Sequence, residues 1–280
     1  MTMRLSLCNE VLVPMPYAQQ CEYAASLGYD GLEVAPYTLA EEPHRMSPAL
    51  VAASRRATED AGIEVTGLHW LLVKPAGLSI STKDDAVRTK TRDAMFALID
   101  LCAELGGKYL VHGSPGQRRI DPGDTREAAL ERAQACWAAA GERAAKAGVV
   151  YCVEPLSSEQ TPLVNTLAEA AQVVAAIGNP ALKSMLDCSS AGQMETEPLE
   201  TLAARWLPQG LIAPVQVNDR NRRGPGQGGD RFAPLLAALL EHGYTGDIAV
   251  EPFDYVPDGP GAAARAAGYL RGILEALPVK

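Results

Sequence analysis

Two hydrophobic rhythms alternate along this chain. Short β-rich apolar runs are followed by longer stretches with apolar residues at helical spacing, and the pair repeats from one end to the other. The pattern predicts strands at Leu5 to Cys8, Gly31 to Ala35, Glu64 to Trp70, Tyr109 to Gly113, Val149 to Glu154, Lys183 to Asp187, Ala213 to Asn218 and Asp247 to Phe253. It predicts helices at Tyr17 to Leu27, Pro48 to Ala61, Asp85 to Leu105, Thr125 to Ala147, Leu167 to Ile177, Leu199 to Trp206, Phe232 to Glu241 and Gly261 to Ala276. Glycines stand where helices must stop: Gly28, Gly62, Gly106, Gly148, Gly178 and Gly243 can each adopt the left-handed C-cap that leads into the next strand. Alternating βα units build a parallel sheet, and eight of them close a (β/α)8 TIM barrel, an α/β fold read as a single domain over residues 1–280.

A doubly wound open sheet is the competing architecture. It would carry a glycine-rich dinucleotide fingerprint after its first strand, but strand one ends in Cys8-Asn9-Glu10. The stretch from Gly224 to Gly229 is glycine-rich, yet it follows strand seven, contains a proline and lacks the Lys-Ser/Thr of a phosphate loop. It is read as a flexible active-site loop that, extended to Asp230, closes over a substrate.

Composition narrows the function. Apolar residues make up 47% of the 280, which suits a soluble chain with one sizeable core. A net charge of -9 opposes nucleic acid and anionic membrane as partners. The most basic stretch, Asp219 to Arg223, is short and begins with an acid, so it reads as substrate-facing or salt-bridged. Six cysteines are scattered without a C-x-x-C pair and several lie in apolar runs, which predicts buried free thiols and a reducing, cytoplasmic setting. The N-terminal stretch has no signal-peptide pattern, and no apolar run is long enough to span a membrane.

In a (β/α)8 barrel the chemistry sits at the C-terminal ends of the strands. Strand five ends in Glu154, strand six in Asp187, strand seven bears Gln216 and strand eight carries Glu251, each about one βα unit from the next. Carboxylates at the edge of a core are costly unless paired or bound to a cation. Two glutamates, an aspartate and a glutamine carbonyl form an all-oxygen set that suits Mn2+ or Mg2+ better than zinc. His69 and His112 also end strands, and each is either a substrate contact or a satisfied structural histidine. Trp70 either walls the pocket or covers the barrel top. Glu33 either orients His69 or pairs with a lysine or arginine, and His44 and His242 receive no role.

The strings CVEP, MLD, VQVNDRN with RGPGQG, and VEPFDY together resemble the motifs of the xylose-isomerase-like barrel superfamily over nearly the whole chain. GLHWLL, GLSIST and YLVHGSPGQR resemble its sugar isomerase and epimerase branch, similar to the ketose 3-epimerases. The resemblance implies a divalent metal held by Glu154, Asp187, Gln216 and Glu251, with Glu154 and Glu251 also acting as acid and base on a small carbohydrate-like substrate. It implies substrate contacts from Arg222, Glu159 and His69, and a homodimer or homotetramer. Two positions depart from the epimerase pattern: Gln216 stands where a histidine ligand is usual, and Ser190 where a histidine is frequent.

The reaction expected is a proton shuttle through a metal-stabilised enediolate, giving isomerisation or epimerisation of a ketose or keto-polyol. The same start gives dehydration if a β-hydroxyl leaves, so a dehydratase of a keto-cyclitol, keto-sugar or dehydroshikimate-like compound is the alternative. A barrel that only binds is a third reading, disfavoured by intact Glu154 and Glu251. The DNA-repair endonuclease relatives need more histidines for zinc than the four present, and a basic face.

Overall fold

A computed structural model describes residues 3–277. Eight parallel strands close a barrel in sequence order: β1 Arg4–Cys8, β2 Gly31–Val34, β3 Glu64–Leu68, β4 Tyr109–His112, β5 Val150–Val153, β6 Leu182–Asp187, β7 Ile212–Val217 and β8 Asp247–Val250. Pairing of β1 with β8, from Arg4 opposite Asp247 to Leu7 opposite Val250, closes the ring. The (β/α)8 expectation is met.

The helices around it are α1 Tyr17–Ser26, α2 Pro48–Asp60, α3 Asp85–Leu105, α4 Arg126–Ala147, α5 Leu167–Ile177, α6 Cys188–Met194, α7 Leu199–Trp206, α8 Phe232–Glu241 and α9 Gly259–Ala276. All six glycines expected to stop helices have positive φ, from 65° at Gly243 to 86° at Gly106. N-caps follow from side chains in the same way: Ser47, Asp84, Thr125, Thr166 and Asp258 each accept a backbone N–H from the first turn that follows.

Boundaries differ from the sequence reading by up to three residues, the largest at β8, which stops at Val250 and leaves Glu251 just beyond it. β3 stops at Leu68 and leaves His69 and Trp70 in the loop above it. α9 begins at Gly259, capped by Asp258. The short helix α6 was not expected; it starts because Asp187, last in β6, turns its carboxylate onto the Ser190 N–H at 2.6 Å.

Most of the core lies between strands and helices, while Tyr109, Val111, Cys152 and Met185 form a separate apolar cluster. Strand order shows which side chains face the lumen. Gln216 on β7 bonds Glu33 on β2, and Tyr109 on β4 bonds the same Glu33; neither pair of strands is adjacent, so these side chains meet across the inside of the barrel. Side-chain alternation then sets Glu154, two residues after Cys152, and Asp187, two after Met185, on the inward side at the C-terminal rim. All six cysteines are buried and free, as the sequence suggested.

Gly67 makes this lumen possible. A Cβ there would sit 2.5 Å from Tyr109 Cε2 and 2.7 Å from the Tyr109 carbonyl oxygen. Gly67→Ala is expected to cost about 1–3 kcal/mol in urea unfolding, as overpacking does. Gly116→Ala, where nothing lies within 4 Å of the added carbon, is the control expected to leave the midpoint nearly unchanged.

Candidate active site

The rim of the barrel holds a cleft of about 280 Å³ with Glu154 and Glu251 in its walls. Its apolar surfaces come from Trp70, Leu156 and Phe253, and His69 and Gln160 add polar ones. Trp70 meets Phe253 edge-on at 6.2 Å, and it adopts a positive φ of 49° that a non-glycine residue rarely takes.

Glu251 is held by one oxygen. Its Oε1 accepts from Trp70 Nε1 at 3.2 Å and bonds His69 Nδ1 at 3.1 Å, while Oε2 is buried without a partner. The other His69 nitrogen, Nε2, meets Glu10 Oε2 at 2.9 Å. His69 is thus bracketed by carboxylates, and although burial alone would lower its pKa, Glu10, Glu251 and Glu33 lift it well above the ordinary value. With both nitrogens engaged, His69 offers a substrate its ring rather than a free hydrogen-bonding atom. One potential ligand atom each from Cys8, Glu10, His69 and Glu251 lies within 4.8 Å of the others, a grouping the sequence reading missed because Glu10 comes from a 3-10 turn after β1. These atoms already bond one another or Glu33, with Cys8 Sγ donating to Glu33 Oε1 at 3.6 Å.

Asp187 and Gln216 are register partners on β6 and β7. Asp187 Oδ2 accepts from Asn218 Nδ2 at 2.8 Å, and the same amide reaches the Glu251 carbonyl oxygen at 3.0 Å, so Asn218 ties the ends of β6, β7 and β8 together. Gln216 donates its Nε2 to Glu33 Oε1, leaving its Oε1 buried and unpartnered. Glu33 pairs with no lysine or arginine among the described residues; it bonds Tyr109 and Gln216 and stands 3.7 Å from His69.

Glu154 follows β5 and lies over Gly113, where a Cβ would stand 1.8 Å from its Oε2. Burial, then the charges of Glu251 and Asp187, push its carboxyl well above the usual range; Arg118 and His69 pull it back. Arg118, which sequence reasoning passed over, is fully buried beneath it and donates Nη1 to the Glu154 carbonyl oxygen at 2.7 Å. The guanidinium stacks over Trp137 with its carbon 5.6 Å from the ring centroid. Burial brings the Arg118 pKa down to about 10, against the pull of Glu154 and Tyr151.

His112, Glu159 and the glycine-rich loop have surroundings that the sequence reading did not anticipate. His112 is fully buried and not in the cleft wall; its Nδ1 accepts from Trp137 Nε1 at 3.1 Å and bonds Tyr151 Oη at 2.8 Å, and burial holds it neutral. Its Nε2 is buried without a partner. Glu159 is exposed in the turn after β5, and the neighbouring Gln160 takes the place in the wall. The glycine-rich loop is pinned rather than free: Asn221 bonds the Gln227 carbonyl at 3.1 Å, Gln227 bonds the Val256 carbonyl at 2.6 Å, and Arg220 pairs with Asp230 at 2.7 Å. Arg222 stands exposed at the rim with φ 69°, its guanidinium carbon 4.8 Å from the Phe253 ring centroid and its charge felt by Asp187.

Residues 21–273 match the family model described as the xylose isomerase-like TIM barrel. The chain belongs to that family. Among its relatives is the D-psicose 3-epimerase of Agrobacterium fabrum, 27% identical over 235 residues that cover 83% of this chain and 78% of the relative. A crystal structure of D-psicose 3-epimerase in the presence of D-fructose superposes with a TM-score of 0.83 at 21% identity, covering 97% of this chain and 99% of the other. The 3-keto-D-glucoside 4-epimerase of E. coli superposes at 0.82 and 20% identity, over 96% and 99% of the two chains.

Asp187 and Gln216 do not line the cleft that Glu154 and Glu251 share, yet two unsatisfied acceptors at the rim suit a hard divalent cation. Gln216 Oε1 and Glu251 Oε2 are buried acceptors that no protein donor satisfies. Glu154, Asp187 and Glu251 repel one another where water cannot screen them, and a cation among them relieves that cost. Burial, with Asp187 and Glu10, raises Glu251 to about 8 against the opposing bond from His69. A folded value above the unfolded 4.5 means that the metal-free protein takes up a proton on folding. That stabilisation is complete below 4.5 and lost as pH rises through about 8. The urea midpoint of metal-free protein should therefore fall as pH rises through this window, and Glu251→Gln should flatten the fall.

Proposed function

We propose that this chain is a divalent-metal-dependent isomerase or epimerase of a ketose or related keto-polyol, with Glu154, Asp187, Gln216 and Glu251 holding Mn2+ or Mg2+. One observation carries the reading: Glu154 and Glu251, from strands β5 and β8, line the same small cleft, and Glu251 keeps an unengaged oxygen there. The relatives named as ketose and keto-glucoside epimerases support the same chemistry. Trp70, Leu156 and Phe253 in the cleft wall would lie against the carbon skeleton of a sugar.

A divalent cation, when bound, supplies Lewis-acid polarisation of a carbonyl and its neighbouring hydroxyl. The chain supplies the rest. Trp70 and His69 fix Glu251 by Oε1 and leave Oε2 without a partner. Gly113 leaves room for the Glu154 carboxylate on the opposite wall. One glutamate takes the proton from the carbon beside the carbonyl and the other returns a proton to the opposite face, which inverts that carbon. Arg222 at the rim faces substrate oxygens from its seat on Phe253.

Proton exchange followed by NMR in D2O, with Mn2+-loaded protein and a panel of free ketoses and keto-polyols, tests this. Deuterium beside the carbonyl, in a product otherwise unchanged in mass, is the expected result. Glu154→Gln and Glu251→Gln should each slow exchange by about 10²–10⁴-fold. Loss of water from a keto-polyol would move the reaction to dehydration, and no exchange with any compound would sink the reading. Gly113→Ala should slow exchange too while keeping the fold, because the added carbon meets the movable end of Glu154 rather than backbone. Activity at the wild-type level in that variant would mean the Glu154 seat does not matter.

A further inference from the structure

Glutamine is an ambiguous metal ligand. Its amide oxygen and nitrogen have nearly the same shape, so a half-turn of the side-chain end replaces a ligand oxygen with a donor that repels the cation. We propose that Glu33 is a positioning residue that locks the Gln216 amide with its carbonyl oxygen turned toward the cation, an inference that rests on the ligand set proposed above.

Gln216 Nε2 lies 2.5 Å from Glu33 Oε1, and Gln216 Oε1 is buried with no partner. The reverse orientation would press two acceptor oxygens together at that separation and forfeit the bond. Glu33 cannot swing away to accommodate it. The residue is fully buried, its Oε2 accepts the Tyr109 hydroxyl at 2.5 Å, and its Oε1 also accepts from Cys8 Sγ. Tyr109 in turn lies against Gly67, where a side chain would displace its ring. Position runs from the backbone at Gly67 through Tyr109 and Glu33 to the amide of Gln216, across the lumen rather than along the sheet.

The arrangement makes a reciprocal prediction. In Glu33→Gln, the acceptor for Tyr109 is kept by the new carbonyl, the new NH2 faces position 216, and the Gln216 amide turns its own NH2 to the cation. The double variant Glu33→Gln/Gln216→Glu reverses the polarity of the same bond, yet presents an oxygen to the cation whichever way the side chain lies.

Mn2+ affinity measured by electron paramagnetic resonance of the free ion, with far-UV melting of metal-free protein alongside, reads both. Glu33→Gln is expected to weaken Mn2+ binding by about 10–100-fold, as loss of an outer-shell partner does. The swap should recover wild-type affinity to within about threefold, a rescue that a merely structural role would not give. Gln216→Leu separates the two layers of argument. If it weakens binding while Glu33→Gln does not, the positioning role is overturned; if it binds as wild type does, the ligand assignment at 216 fails instead, and the positioning role with it. Should Glu33→Gln fail to fold, the swap decides alone, and a swap that binds no better than Gln216→Leu overturns the proposal.

Discussion

Repulsion among buried carboxylates governs the mouth of this barrel. Glu154, Asp187 and Glu251 are each nearly excluded from solvent, with Glu33 fully buried beneath them. In such surroundings like charges cannot all remain ionised without compensation. The partial compensation visible in the protein explains much of the local structure. His69 is caught between Glu10 and Glu251, Arg118 is drawn under Glu154, and Asn218 and the first turn of α6 donate to Asp187. Acceptors at Gln216 and Glu251 still lack protein donors, and that residual demand is the physical basis for assigning a cation there.

The fold was legible in the sequence because its signals are local. A glycine after a helix, or a threonine before one, acts on its own first or last turn, so Gly106 and Thr125 could be placed without knowing what they pack against. The spacing of Glu154, Asp187, Gln216 and Glu251 was legible for a related reason: one βα unit separates each from the next, and repetition turns sequence spacing into position around a ring.

What was not legible depends on contacts across the ring. Glu33 and Gln216 are 183 residues apart, and His69 and Glu251 are 182 apart; no pattern in one strand announces such partners. At His112 the strand-end position did not announce that Trp137 and Tyr151 both bond Nδ1. The turn after β5 leaves Glu159 exposed and puts Gln160 in the cleft wall, a one-residue difference that strand spacing does not resolve.

Arg118 also ties together loops from three successive strands. Its guanidinium holds the backbone of the β5 loop, its carbonyl accepts from Thr161 further along that loop, and its neighbours Gln117 and Arg119 accept from Ile80 and Ser81 in the loop after β3. Three successive rim segments are thereby stitched into one plate, one buried cation serving as its rivet. A ligand entering from the other side meets a surface already organised at folding, so discrimination among ligands of similar size would rest on complementarity to a fixed wall rather than on a wall that remoulds itself around each arrival.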